Sequence, residues 1–348
     1  MKAALLTEYN RIEYIDVPTP AAGPGQLLVR VQYASICGSD LHIFKGEFHP
    51  RTPVPFIPGH EFAGVVEQVG ANVEGFAPGE QVAIDPIIWC GQCPACLHGI
   101  HPACTSLKLV GIDLDGGFAQ YAAVDANMAF KVPALIPARH AALVEILSIG
   151  FHACRKADVT EGKTLAIFGA GRVGQSILQA ARTKTKAPIY VVDILPARLD
   201  IAARTFDNIR TINALEENAG EVIRSESAGG VDIAFEAVGH AQFVDRTQSP
   251  VLACCDSIRG GGTVCVLGLG DEPVPVVFKK LIWKEARLVT SRVSGGEFAD
   301  AINAMSKGLL KPDAMITNTV PLSQTQQAFE NILAHPERIL KTLIEIEG

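Results

Sequence analysis

The chain has 348 residues, a net charge of -7, 48% hydrophobic residues and 19% charged residues. At about 150 residues per domain this is two domains' worth of chain, and the balance is that of a globular protein with material for sizeable cores, which excludes disorder for the bulk of it. The longest cationic clusters, Lys184-Thr185-Lys186 and Lys279-Lys280, are too short for a polyanion site. The longest apolar run, Ala141 to Cys154, carries Glu145 and His152 and falls short of the roughly 20 residues a bilayer span needs. Nucleic acid and membrane are therefore excluded as partners. The start, Met1-Lys2-Ala3-Ala4-Leu5-Leu6-Thr7-Glu8, turns acidic after four apolar residues and lacks the apolar core of a signal peptide, so a cytoplasmic protein is expected.

In chain order, the first 140 residues read as β-rich. Short apolar runs at Gln26–Tyr33, Gly64–Val69 and Gln81–Ile84 alternate with glycine and proline, and prolines such as Pro18, Pro24, Pro58 and Pro78 forbid long helices. Near residue 150 the texture changes to strand, helix, strand. Thr164–Phe168 leads through a glycine turn into a helix from Arg172 to about Lys184. A strand at Pro188–Val192 and a helix at Pro196–Thr205 follow. Ile209–Ile212, Val231–Phe235 and Thr263–Leu267 continue the strand series. This alternation predicts a parallel sheet with right-handed crossovers. Two helical patterns, Phe298–Lys307 and Ser323–Ala334, close the chain.

Nine cysteines in a reducing compartment are not a disulfide framework, and four of them cluster as Cys90-x2-Cys93-x2-Cys96-x7-Cys104. Two-residue gaps let successive sulfurs turn to one point, and the longer loop returns the fourth. Four thiolates suit a tetrahedral zinc and leave no position open for substrate, so this site is expected to be structural. The flanking Trp89, Gly91, Gln92, Pro94, His98 and Gly99 read as a surface loop.

A second constellation is scattered. Cys37-Gly38-Ser39-Asp40-Leu41-His42 puts a thiol, a hydroxyl, a carboxylate and an imidazole within six residues. Gly59-His60-Glu61-Phe62-Ala63-Gly64 adds an imidazole and a carboxylate, and Glu145 interrupts the apolar run. A catalytic zinc needs about three protein ligands and one open position, and these residues supply the types. The turn Gly169-Ala170-Gly171-Arg172-Val173-Gly174 follows a strand and opens a helix, and Asp193 ends the next strand nineteen residues past Gly174. The glycines allow close approach of a pyrophosphate to the helix N-terminus, and the carboxylate suits the ribose hydroxyls of NAD while repelling the 2′-phosphate of NADP. Arg198, nearby, is a cation that accommodates a phosphate.

Taken together in this order, these motifs resemble the zinc-dependent medium-chain dehydrogenase/reductase family of alcohol, polyol and threonine dehydrogenases. Phe235-Glu236-Ala237-Val238-Gly239 after a dinucleotide-fold strand fits as well, and the resemblance covers nearly the whole chain. It implies a GroES-like β-rich catalytic domain over residues 1–149 with a structural zinc lobe at 89–105. A Rossmann dinucleotide-binding domain would follow over 150–291, and a segment at 292–348 would complete the catalytic domain. It also implies two zinc ions per subunit and NAD, with Gly169, Gly171, Arg172, Val173, Gly174, Asp193, Arg198 and Val238 at the cofactor.

By the same resemblance Cys37 and His60 match zinc ligands, and Glu61 matches an acid that enters the zinc shell during turnover. Glu145 matches the third protein position, acidic in polyol and threonine dehydrogenases. Asp40 would hold the ligand imidazole, and Ser39 and His42 would relay the proton. One departure is Ile146, where polyol members usually carry proline. Arg292, after the last expected sheet strand, lies in a region that faces substrate in related enzymes. The expected reaction is hydride transfer between NAD and a secondary alcohol of a polyol or sugar-acid-like molecule. The alternatives are a threonine 3-dehydrogenase type, a simple aliphatic alcohol dehydrogenase, a zinc-free quinone-reductase-like relative, and a catalytically silent binding member of the fold. A homodimer or homotetramer is expected, with Gly268 to Phe278 as a sheet edge for pairing between copies.

Overall fold

Glycine and proline punctuation cuts the first part of the chain into short strands, and only distant returns of the chain complete their sheet. The computed structural model describes residues 1–239, 249–270, 273–274 and 276–347. It divides into two units: residues 1–145, 298–307 and 316–348, and residues 146–297 and 308–315. Against the expected cuts at 149/150 and 291/292, these fall at 145/146 and 297/298, and the short stretch 308–315 belongs with the second unit.

In the first unit a seven-stranded sheet runs in the order Ile316–Pro321, Lys341–Glu345, Gln26–Ser35, Glu61–Val69, Gln81–Ile84, Ala129–Lys131. Tyr121–Asp125 pairs with Gln26–Ser35 as well. The central strand Gln26–Ser35 has Leu27, Leu28, Val29 and Val31 buried. Its register sets Ser35 opposite Glu61 on one side and opposite Leu343 on the other. The last strand of the chain is thereby brought beside the residues that follow Gly59. Gly59 has φ +99°, and a Cβ there would lie 2.4 Å from the Phe118 ring, so the turn that launches His60 and Glu61 accepts glycine alone.

The second unit is a six-stranded parallel sheet ordered Ile209–Asn213, Ile189–Asp193, Leu165–Phe168, Val231–Glu236, Ile258–Val266, Arg287–Thr290. Counted along the chain, the strands run third, second, first, fourth, fifth, sixth, the doubly wound order with its reversal beside the first strand. Leu165–Phe168 is buried along its whole length, as a parallel strand covered on both faces must be. One face packs Phe168, Tyr190, Val192, Ile212, Val264 and Ile258 into a common core.

The helix from the glycine turn spans Arg172–Arg182, and the next is Pro196–Thr205, as expected. The apolar run around Glu145 is itself a helix, Val144–Lys156. The expected edge for pairing between copies, Gly268 to Phe278, lies only partly within the described residues. Its described residues form no strand, and Phe278 opens the helix Phe278–Trp283. Asp271, Glu272 and Pro275 lie outside the described residues. Within the chain the sheet ends at Arg287–Thr290. Among the described residues no helix is long and apolar enough to cross a membrane.

Candidate active site and metal centres

Cys37 stands just before the helix Gly38–Phe44, and its backbone N–H donates to Asp40 Oδ2 at 2.7 Å. This fold-back makes Asp40 a cap and leaves its other oxygen, Oδ1, 3.4 Å from His60 Nδ1. The buried carboxylate thus steadies one face of the imidazole, while Nε2 lies 3.5 Å from Ser39 Oγ. The ligand atoms of Cys37, His60 and Glu61 lie within 4.8 Å of one another. A thiol, an imidazole and a carboxylate so close together are a donor set of the kind zinc takes.

Charge shapes this centre. Burial opposes ionisation of His60, but Asp40 and Cys37 outweigh it and hold its pKa well above the ordinary value. Burial and Glu61 push the Cys37 thiol up, yet His60 and Lys341 more than reverse this, so the thiol ionises more easily than a free one. Glu61 is fully buried and pairs with Lys341, also fully buried; Nζ reaches Oε1 at 2.6 Å. Ser35 Oγ donates to Oε2 of the same carboxylate, and Lys341 Nζ also donates to the Ile36 carbonyl at 3.3 Å. Burial raises the Glu61 pKa, and Lys341, His60 and Ser35 bring it below the ordinary value. Lys341 and Ser35 escaped the sequence reading. A lysine in the apolar strand Lys341–Glu345 is the one signal that pointed to a buried partner.

Glu145 is buried in the first turn of its helix. Burial first, then the charge of Glu61, pushes its carboxyl well above the usual range. It shares the electrostatic environment of Cys37, His60 and Glu61 without belonging to their 4.8 Å group. His42 lies one helical turn past Ser39. Its Nδ1 pairs with Glu47, its ring stacks on Phe48 at 6.3 Å, and its side chain is 58% exposed. Glu47 and Phe48 were not anticipated.

The cysteine lobe is built from neighbours. Cys93 caps the short helix Pro94–Leu97, which carries Cys96 inward, and Cys104 follows the turn His101–Ala103. The Cys90 N–H donates to Cys104 Sγ at 3.3 Å, and the Cys93 N–H to Cys90 Sγ at 3.4 Å. All four ligand atoms lie within 4.8 Å of one another. The N–H groups of Cys96 and Thr105 bring the Cys93 thiol down to about 6, while burial and Cys93 push Cys96 up to about 12. Trp89 stacks on His101 with ring centroids 4.2 Å apart and closes the lobe's side.

In the second unit a Cβ on Gly174 would lie 1.7 Å from the Gly169 carbonyl, so the turn closes only on glycine. A Cβ on Gly171 would meet nothing nearer than Arg198 Nη1 at 3.7 Å, which leaves the open surface a pyrophosphate needs. No side chain caps the helix that begins at Arg172 and Val173, so its N-terminus is not blocked by a side chain of its own cap. Asp193 Oδ2 accepts from Ala170 N–H at 2.7 Å, and Oδ1 accepts from the N–H groups of Ile194 and Leu195. The carboxylate is thereby tied to the glycine turn. Burial lowers the pKa of Arg198 against the pull of Asp193. Val238 follows the fourth strand and is partly exposed. Arg292 is exposed beyond the strand Arg287–Thr290, between the buried Ser291 and Ser294.

The alcohol dehydrogenase GroES-like domain family matches residues 23–134, and the zinc-binding dehydrogenase family matches residues 173–307. The chain is 30% identical to a sorbitol dehydrogenase of Bacillus subtilis, with 99% of this chain and 97% of that one covered. It is 31% identical to a 2-dehydro-3-deoxy-L-galactonate 5-dehydrogenase of Pseudoalteromonas atlantica, with 92% of each covered. A crystal structure of the alcohol dehydrogenase RspB from Escherichia coli CFT073, complexed with NADH, superposes with a TM-score of 0.90 at 30% identity and covers 99% of both chains. With fold, donor sets and both domain families in agreement, this chain belongs to the zinc-dependent medium-chain dehydrogenase/reductase family of oxidoreductases.

Proposed function

We propose that the protein oxidises a secondary alcohol of a polyol or sugar-acid-like substrate with NAD+, using one zinc at the Cys37 centre and a second in the cysteine lobe. The observation that carries this reading is the gathering of Cys37, His60 and Glu61 ligand atoms within 4.8 Å, with Ser39 beside His60. Zinc held there would supply a Lewis acid for the substrate hydroxyl, and NAD+ would supply the hydride acceptor.

The chain's own residues supply the rest. Cys37 and His60 would hold the metal, and Asp40, beside His60 Nδ1, leaves Nε2 as the ring nitrogen available to it. Lys341 and Ser35 engage both oxygens of Glu61, and Glu145, buried in the same charged surroundings, is the second carboxylate able to exchange with it at the metal. Ser39 accepts the hydroxyl proton, and the exposed His42, held by Glu47 and Phe48, delivers it to solvent. Gly171 and the helix after it take the pyrophosphate, Asp193 takes the adenosine ribose, and Val238 flanks the nicotinamide half. Arg292 orients the polar part of the substrate. The sorbitol and sugar-acid relatives support the substrate class. The four-residue edge strand Arg287–Thr290, with Ile282 and Trp283 of the preceding helix 70% and 76% exposed, supports a homo-oligomer joined at this edge.

A panel of polyols, sugar acids, amino alcohols and aliphatic alcohols with NAD+ and NADP+, followed by absorbance of the reduced cofactor, tests the reading. Fastest turnover of a polyhydroxylated or anionic substrate supports it; preference for ethanol-like alcohols or threonine overturns the substrate class. Arg292→Ala is expected to raise the Michaelis constant for the favoured substrate about tenfold and to leave a small aliphatic alcohol nearly unaffected.

A further inference from the structure

Glu236 ends the strand Val231–Glu236 and is 2% exposed, yet among the described residues no cation pairs with its carboxylate. Backbone donors satisfy it instead. Oε1 accepts from the N–H of Val238 at 2.8 Å and of Gly239 at 3.0 Å, and Oε2 accepts from the N–H of Gly268 at 3.1 Å. Val238 and Gly239 belong to the loop after the fourth strand of the parallel sheet, and Gly268 to the loop after the fifth. One side chain therefore fastens two loops together. A Cβ on Gly268 would lie 2.3 Å from Gly239 N and 2.4 Å from Glu236 Oε2, so the junction has no spare room. On its other side the same junction abuts the glycine turn. A Cβ on Gly169 would meet the Ala237 carbonyl at 2.9 Å and Val238 Cγ2 at 3.0 Å.

Gly169, Val238 and Gly268 thus follow one another across the carboxyl ends of three adjacent strands. In a doubly wound sheet of this order a dinucleotide lies across those ends. Its adenosine half sits over the first three strands, where Asp193 stands, and its nicotinamide half beyond the reversal. We propose that Glu236 is a positioning residue that fixes the nicotinamide half of the cofactor site; this rests on the reading of the second unit as the NAD site. The residue type follows from the donors. Three N–H groups converge on one side chain, and a carboxylate offers acceptors on both oxygens, whereas an amide would turn an NH2 group against one donor. Neither end of the cofactor touches Glu236 in this proposal; it acts through Val238, Gly239 and Gly268.

The test is binding, in the zinc-loaded protein, of NADH and of AMP, which fills only the adenosine half. Glu236→Gln is expected to weaken NADH about tenfold, to raise the Michaelis constant for NAD+ in step, and to leave AMP within about twofold. Amide hydrogen exchange at Val238, Gly239 and Gly268 is expected to quicken. Gly268→Ala reaches the same junction from the other side and is expected to give the same split between NADH and AMP, so the test survives if Glu236→Gln fails to fold. Unchanged NADH affinity in Glu236→Gln, or equal losses for NADH and AMP, would overturn the positioning role. Failure of the unaltered protein to bind NADH or NADPH would overturn the dinucleotide reading and this inference with it.

Discussion

The four sulfurs of the cysteine lobe come from fifteen consecutive residues, held by a one-turn helix and backbone N–H groups. The Cys37 centre instead draws on residues 35, 37, 40, 60, 61, 145 and 341 and depends on the register of three strands. The lobe's electrostatics are therefore local, since its thiols answer to one another and to neighbouring amides. At the Cys37 centre a buried carboxylate, lysine and imidazole and a half-buried thiol lie together and balance one another's charge. A local site asks only that its loop form, whereas the assembled one asks that a distant strand arrive with the right side chain.

The largest expected effect separates the two centres by metal removal. Cys37→Ala is expected to lower activity by about a thousandfold or more while about one zinc per chain remains, held by the lobe. Cys93→Ser is expected to lose the other zinc and to cost stability before chemistry. Metal analysis beside turnover checks both. Loss of all zinc from either variant would show that the centres are not independent.

Next in size is the buried ion pair. Lys341→Met leaves buried Glu61 without its ion-pair partner and with Ser35 as its remaining hydrogen-bond donor, and is expected to cost about 3–5 kcal/mol. The double variant Lys341→Met with Glu61→Gln is expected to recover most of that loss, because the penalty lies in the orphaned charge. Denaturant unfolding of the two variants decides it, and equal destabilisation of both would mean that packing, not charge, is what Lys341 supplies.

Legibility in the sequence followed the same division. The lobe, the glycine turn and the strand series around it could be read because each is set by neighbours: turn residues, two-residue gaps, an apolar run before a glycine. The helices at Arg172 and Pro196 began where expected for that reason. The partnership of Glu61 with Lys341 was hidden, because only the pairing of Gln26–Ser35 with both Glu61–Val69 and Lys341–Glu345 brings residues 280 apart together. The segment Gly268 to Phe278 has an extended, proline-bearing pattern, but within the chain the sheet's order gives the edge position to Arg287–Thr290.

Asp193 stands between these extremes, since its motif is local and its carboxylate is fixed by Ala170, Ile194 and Leu195. Asp193→Gly is expected to weaken NAD+ about tenfold and to relieve the exclusion of NADP+, with Arg198 left to meet the extra phosphate. Cofactor affinities of the two proteins measure it. Equal catalytic efficiency with NAD+ and NADP+ in the unaltered enzyme would remove the ground for the prediction.

The smallest effect tests whether exposure sets the worth of a long-range charge contact. Asp232 joins distant segments, as Glu61 does. Its Oδ2 accepts from Thr164 N–H at 2.8 Å and Thr164 Oγ1 at 2.9 Å, and its Oδ1 accepts from Arg259 Nε at 2.8 Å. Burial raises its pKa, but Thr164 and Arg259 outweigh this and bring it below the ordinary value. Because the folded pKa is lower than the unfolded value of about 3.9, the contribution is fully present above that pH and is lost as pH falls through the folded pKa. The Arg259 side chain is 51% exposed, so solvent screens the pair and about 1 kcal/mol is expected, well below the cost at Lys341. The unaltered protein should therefore unfold at higher urea than Asp232→Asn at pH 7 and 5, and the gap should close as pH drops below about 4. Other carboxylates titrate alike in both proteins, so the difference isolates this one. A gap that stays constant down to acid pH would mean that the amide loses only geometry at Thr164 and that the charge at this position carries no weight.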